Sequence, residues 1–93
     1  MAGVRLVIQF TTNSAEEADE RVKALAARCD KTAAEPGCLQ FEVFRSAVRP
    51  NVYTLLEHWA SQEALEAHWA LMGGRPQHAP GTTRERYEHQ TLP

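Results

Sequence analysis

The strand predicted for Val52–Ala60 carries large apolar residues on both of its faces. Successive side chains of a strand point to opposite faces of the sheet. The large residues here divide into Tyr53, Leu55 and Trp59 on one face and Val52 and Leu56 on the other. A strand that is apolar on both sides has to be covered on both sides. Because a chain of 93 residues supplies only one layer of helices, we expect a second copy to cover the other face, giving a homodimer joined through its sheet faces.

Other segments of the sequence also have the composition of strands. They are Gly3–Thr11, Cys38–Ser46 and Thr82–Gln90. In the second of these, alternation predicts that Leu39, Phe41 and Val43 share one face. The turn at 48–51 then joins this strand to Val52–Ala60 as a hairpin. The last segment is weaker and charged, which suits the edge of a sheet, where charge discourages pairing with another edge.

Two helices are predicted between these strands, and each begins at a serine. Ser14 followed by Glu17 matches a capping box, and apolar residues spaced by three and four continue the helix to Ala34. Pro36 and the glycine after it end this helix. Ser61 caps the second helix, which runs to about Met72.

The order of these elements is β-α-β-β-α-β. This order is typical of the ferredoxin-like α+β fold, in which one four-stranded antiparallel sheet carries two helices on one face. The length predicts a single domain over residues 1–93. Two sheets that pack face to face would form a dimeric α+β barrel.

Composition argues against several classes of partner. Ten Lys and Arg against twelve Asp and Glu give a formal charge of -2, whereas a nucleic-acid-binding domain would carry a basic excess. No apolar run approaches the roughly 20 residues that span a bilayer, so we expect no membrane partner. The first residues lack the features of a secretory signal. Cys29 and Cys38 form neither a disulfide scaffold nor a CxxC pair, so we expect a reduced, cytoplasmic protein.

A series of short motifs resembles the antibiotic-biosynthesis-monooxygenase domain family. The matching stretches are Glu35–Cys38 (EPGC), Phe41–Val43 (FEV), Leu56–Trp59 (LEHW), Ser61–Leu65 (SQEAL) and His68. The resemblance implies a dimeric ferredoxin-like barrel with a pocket between the sheet and the helices. Its members include cofactor-free oxygenases of aromatic polyketides, quinol monooxygenases and haem-degrading enzymes. The haem-degrading branch has an asparagine in its first strand where Leu6 stands here, so haem degradation is not expected.

His68 is the first candidate for a catalytic residue. It lies on the apolar stripe of the second helix, matches the histidine of the family motif, and could take a proton from a phenol. The alternative is a structural histidine bonded to a carboxylate of the sheet. Glu57, on the face of Trp59, is either a pocket acid or base paired with His68, or a hydrogen-bonding group at the dimer interface.

Three further residues are candidates for holding a substrate. Trp59, Tyr53 and Leu25 would form apolar walls around an aromatic ring, although core packing explains each of them as well. The histidines and cysteines lack metal-ligand spacing, and the sequence has no phosphate-binding loop and no nucleophile elbow. We therefore expect neither a metal nor a cofactor.

The resemblance and the candidate residues together suggest a cofactor-independent monooxygenase. The expected substrate is a small electron-rich aromatic, a quinol or a polyketide-type phenol, which reacts with O2. One alternative is a non-catalytic dimer that binds a small ligand or serves in stress. Another is an isomerase of a small carbonyl compound.

Overall fold

The computed structural model describes residues 3–77 and 80–89. The strands are β1 (Gly3–Thr11), β2 (Cys38–Arg45), β3 (Val52–Trp59) and β4 (Thr82–His89), and the helices are α1 (Ala15–Ala33) and α2 (Gln62–Leu71). The predicted order β-α-β-β-α-β and the four-stranded antiparallel sheet with two helices are confirmed. Gln90, which the sequence placed in the last strand, lies outside the described residues.

Both helices begin at the serines that the sequence singled out. Ser14 Oγ accepts a hydrogen bond from the backbone N–H of Glu17, and Ser61 Oγ accepts one from Ala64, each at 3.1 Å. These bonds satisfy amide groups that have no partner within the helix. The carboxylate of Glu17 accepts a bond from Arg21.

The sheet has the strand order β2-β3-β1-β4. Helix α1 packs mainly on β2, whereas α2 packs on β1 and β3. The side chains between the sheet and the helices form the core. They are Val4, Leu6, Ile8, Phe41, Leu55, Trp59 and Leu65, each at most 6% exposed. No helix of the described part of the chain is long and apolar enough to cross a membrane.

One prediction about strand faces is wrong. Leu39 was expected to share a face with Phe41, but its side chain is 61% exposed while Phe41 is buried. The reason is a bulge: Cys38 pairs with Trp59 and Gln40 with His58, so Leu39 is an additional residue in β2. An inserted residue reverses the alternation on one side of it.

The face of the sheet opposite the helices is partly apolar. Val7 and Leu56 pair across β1 and β3 at its centre and are half-buried. Phe44 on β2 and Tyr87 on β4 are 43% and 51% exposed. We call these four residues the outer sheet face.

Candidate functional site

A cavity of about 210 Å³ lies between the inner face of the sheet and the two helices. Most of its wall is apolar, and its polar residues are Arg28, Glu57 and His68. The apolar residues around it are Ile8, Phe10, Leu25, Phe41, Leu55, Trp69, Met72 and Pro76. An apolar cavity with a few converging polar groups is the usual form of a small-molecule site.

The His68 ring is fixed on several sides. It stacks on Trp59 with ring centroids 4.8 Å apart and meets the Phe41 ring edge-on at 5.7 Å. Its Nδ1 lies 2.8 Å from Oε1 of Glu35, and the side chain is only 4% exposed. Among residues 3–77 and 80–89, no group hydrogen-bonds the other nitrogen, Nε2. Because His68 lines the cavity, Nε2 is the nitrogen left for a bound molecule.

Glu35 reaches His68 because the turn after α1 lies directly against α2. Gly37 in this turn has φ +81, and a Cβ placed on it would come within 2.6 Å of the Ala64 Cβ. The backbone of the turn is also bonded to the end of β3, since Ala60 N–H donates to the Gly37 carbonyl at 2.8 Å. The EPG motif therefore both ends α1 and positions the Glu35 carboxylate.

Glu57 contributes a buried carboxyl group to the cavity. Its side chain accepts a hydrogen bond from Nε1 of Trp59 at 2.9 Å, and the residue is 5% exposed. Burial raises the pKa of this carboxyl above its usual value of 4.5, and the Trp59 bond and nearby cations offset part of that rise. Glu57 and His68 do not hydrogen-bond each other: the Glu57 carboxyl is bonded to Trp59, and Nδ1 of His68 is bonded to Glu35.

The three predicted wall residues lie at different places. Leu25 lines the cavity. Trp59 is completely buried behind the His68 ring and does not touch the cavity. Tyr53 stacks on Phe10, with centroids 4.7 Å apart, and lines an adjoining depression that shares Phe10, Leu25 and Arg28 with the cavity. Burial raises the pKa of the Tyr53 phenol, against the influence of Arg21.

Sequence reasoning missed two kinds of residue at this site. In the sequence, Glu35 is only the first residue of the EPGC stretch, and no residue pattern links it to His68. Arg28 and Arg84 were missed because arginines on a helix and an edge strand are ordinarily solvent-facing. Within the described residues, no group of three or more His, Cys, Asp or Glu side chains could hold a metal ion.

Comparison with known proteins gives a family. The sequence profile named antibiotic biosynthesis monooxygenase matches residues 3–71, which is most of the chain. The chain belongs to this family. Among curated proteins, none matches the chain.

Solved structures give the same fold. A Caulobacter crescentus protein whose description carries the family name is 29% identical, with a TM-score of 0.68, and the match covers 97% of this chain and 92% of that one. A heme-degrading protein of Mycobacterium tuberculosis is 25% identical, with a TM-score of 0.68 and coverage of 94% and 90%. A Shewanella oneidensis protein is 20% identical, with a TM-score of 0.75 and coverage of 95% and 91%, a likeness of fold alone.

Proposed function

We propose that this member of the family is a cofactor-independent monooxygenase that oxidises a small electron-rich aromatic, such as a quinol, with O2. The observation that carries the proposal is the His68 ring, whose Nδ1 is bonded to Glu35 at 2.8 Å while Nε2 is left for the cavity. A carboxylate that accepts the Nδ1 proton fixes the tautomer with a lone pair on Nε2. That nitrogen is then a base for a phenolic hydroxyl inside the cavity.

The substrate itself supplies the electrons. His68 takes the phenolic proton, and the phenolate passes one electron to O2 to give a radical pair. Recombination forms a C–O bond to a ring carbon that bears hydrogen, and the resulting peroxide anion takes the proton from His68 to become a hydroperoxide. His68 then removes that carbon's proton as the O–O bond breaks, which gives a ring carbonyl and hydroxide. The proton now on His68 converts the hydroxide to water. Four electrons leave the ring, so the balance is quinol plus O2 to hydroxyquinone plus water.

The other predicted residues have supporting roles. Leu25 packs against the substrate ring, and Glu57 orients a second hydroxyl group from the cavity wall. Trp59 stacks on the His68 ring and donates a hydrogen bond to Glu57, so it holds both groups in place. Tyr53 would contact only a substrate long enough to extend into the adjoining depression.

Oxygen uptake with a panel of quinols tests this function. We expect His68→Ala to lower turnover about a hundredfold, the low end of what a general base contributes. His58→Gln, a change on the opposite face of the same sheet, should leave turnover unchanged. Equal turnover by the parent protein and by His68→Ala would contradict the proposal. Conversion of a carbonyl compound without oxygen uptake would indicate the isomerase instead.

A non-catalytic dimer is the competing function. It would be favoured by a direct contact between His68 and Glu57 with no cavity beside them. Instead, each residue has its own partner, Glu35 and Trp59 respectively, and both line a cavity. These contacts favour a cavity with converging polar groups over one that is filled by side chains.

We also propose that the protein is a cytoplasmic homodimer in which the outer sheet faces of two copies pack together. The support is the half-buried pair Val7 and Leu56, flanked by exposed Phe44 and Tyr87. Cys29 and Cys38 are both free thiols, as in a reducing compartment. Burial raises the pKa of Cys38 to about 11, which keeps this thiol protonated and unreactive.

A further inference from the structure

Three arginines from separate parts of the chain lie in or beside the cavity wall. Arg28 of α1 lines it directly. Arg84 of β4 pairs in register with Ile8, a residue of the cavity wall, and its guanidinium carbon lies 5.3 Å from the centroid of the Trp69 ring. Arg75, after α2, lies 5.5 Å from the same ring, which itself lines the cavity. We call these three residues the arginine rim.

The arginine rim differs from the other arginines of the described residues in its partners. The others have a side-chain hydrogen bond or an ion pair: Arg5 with Gln40, Arg21 with Glu17, Arg45 with Asp19, Arg49 with Gln9 and Arg86 with Gln62. Within residues 3–77 and 80–89, the arginine rim makes no such bond and no ion pair. Three guanidinium groups without a hydrogen-bonded or ion-paired partner in the described part of the chain are thus gathered beside one apolar cavity.

The surroundings of Arg84 are unfavourable for its positive charge. Burial lowers the pKa of its guanidinium, and the neighbouring charges of Arg75 and Arg86 lower it further. Glu57 is the nearby group that acts in the opposite sense. Glu57 is a single carboxyl group beside the three guanidinium groups of the arginine rim, so it cannot balance their charge. A negative charge at the mouth of the cavity would therefore be strongly favoured.

We infer that the cavity binds an aromatic substrate that carries a carboxylate, which Arg84 and Arg28 hold at the mouth while the ring lies among the apolar residues. A planar guanidinium matches a carboxylate with two parallel hydrogen bonds. The volume of about 210 Å³ suits a small ring system. The inference rests on the proposed function only for the hydroxyl group that faces His68; the selection of an anion depends on the arginines alone.

Binding in the absence of oxygen tests the inference without turnover. Gentisate, a dihydroxybenzoate, and its neutral methyl ester are titrated calorimetrically into the anaerobic protein. We expect gentisate to bind about tenfold more tightly, the equivalent of one charged hydrogen bond. Arg84→Gln and Arg28→Gln should each remove most of that preference while the affinity for the ester stays the same. Arg49→Gln, which removes the same charge far from the cavity, is the matched control.

The outcomes separate this inference from the proposed function. Equal affinity for acid and ester, binding of neither, or an equal loss with Arg49→Gln would overturn the inference. Arginine-dependent binding of gentisate without oxygen uptake in air would uphold the anion site and count against the monooxygenase. Oxidation of acid and ester at equal rates and affinities would support the monooxygenase and overturn the anion site.

Discussion

His68 and Glu35 form a partly buried pair in which the carboxylate fixes the position of the histidine ring. The 2.8 Å contact gives the histidine nitrogen Nδ1 a partner, and stacking on Trp59 fixes the plane of the ring. A base held in one orientation needs no rearrangement when a substrate binds. It therefore accelerates the reaction more than a base that is near the substrate but free to rotate. At the residue scale, Glu35 is therefore a positioning residue.

Glu35→Gln should lower kcat about tenfold or more and change KM little, because the amide no longer holds the Nδ1 proton as a carboxylate does. Steady-state oxygen uptake with the best quinol measures both constants. Glu63→Gln, an exposed change in the first turn of α2, is the matched control. A rise in KM at unchanged kcat would contradict a positioning role and indicate a loss of binding instead.

Glu57→Gln should change the dependence of stability on pH. Burial raises the pKa of Glu57 above 4.5 in the folded protein. The free energy of unfolding of the parent protein therefore falls as pH rises through that raised value, because the buried carboxyl must ionise. The glutamine variant has no such loss and can still accept the Trp59 bond. Urea unfolding at several pH values should show the variant gaining stability relative to the parent as pH rises from about 4.5. A difference that stays constant, or shrinks, would contradict the raised pKa.

At the scale of elements, the contact between the α1–β2 turn and α2 decides where the site forms. The turn can approach so closely only because residue 37 is a glycine with φ +81 and residue 64 is an alanine. α2 in turn carries His68 and Trp69 to the cavity. The EPG motif and the SQEAL motif therefore belong to one packing arrangement, although they lie on different elements.

Gly37→Ala should destabilise the fold by about 2 kcal/mol or more, since a methyl group adds a clash with Ala64 to the cost of a positive φ. Gly73→Ala is the control, because Gly73 has φ +88 with no atom within 4 Å of the added Cβ, and should cost about 1 kcal/mol. Chemical denaturation measures both.

Adding Ala64→Gly to Gly37→Ala separates the clash from the backbone cost. The second change removes the Cβ that the new methyl group would meet, so the double variant should be more stable than the sum of the single effects. If the two changes in the free energy of unfolding simply add, residues 37 and 64 are not in steric contact.

At the scale of the whole molecule, the sheet has two different apolar faces. The inner one is covered by the helices and carries the cavity, and no helix or loop among residues 3–77 and 80–89 covers the outer one. Small domains bury a limited share of their surface, so a second copy would add to a thin core. The proposed dimer would leave the cavity on the opposite side of each sheet.

Phe44→Lys should weaken the dimer by placing a charge in the apolar contact beside Val7 and Leu56. Sedimentation equilibrium at micromolar concentration should give twice the chain mass for the parent and a lower average for the variant. Leu71→Lys, at a 75% exposed position on α2, should keep the parental mass. A folded monomer for the parent protein would contradict the proposed dimer, but it would not affect the cavity, which lies within one chain.

The sequence by itself determined the order of the elements, their caps and the inner faces of most strands, because these follow from periodicity within short segments. It also placed His68 and Glu57 on faces that line the cavity. Only the tertiary structure gave His68 its partner, since Glu35 lies 33 residues away and their contact depends on how α2 packs against a turn. The bulge at Leu39 and the gathering of Arg28, Arg75 and Arg84 have the same origin: distances between separate elements, which no local pattern encodes.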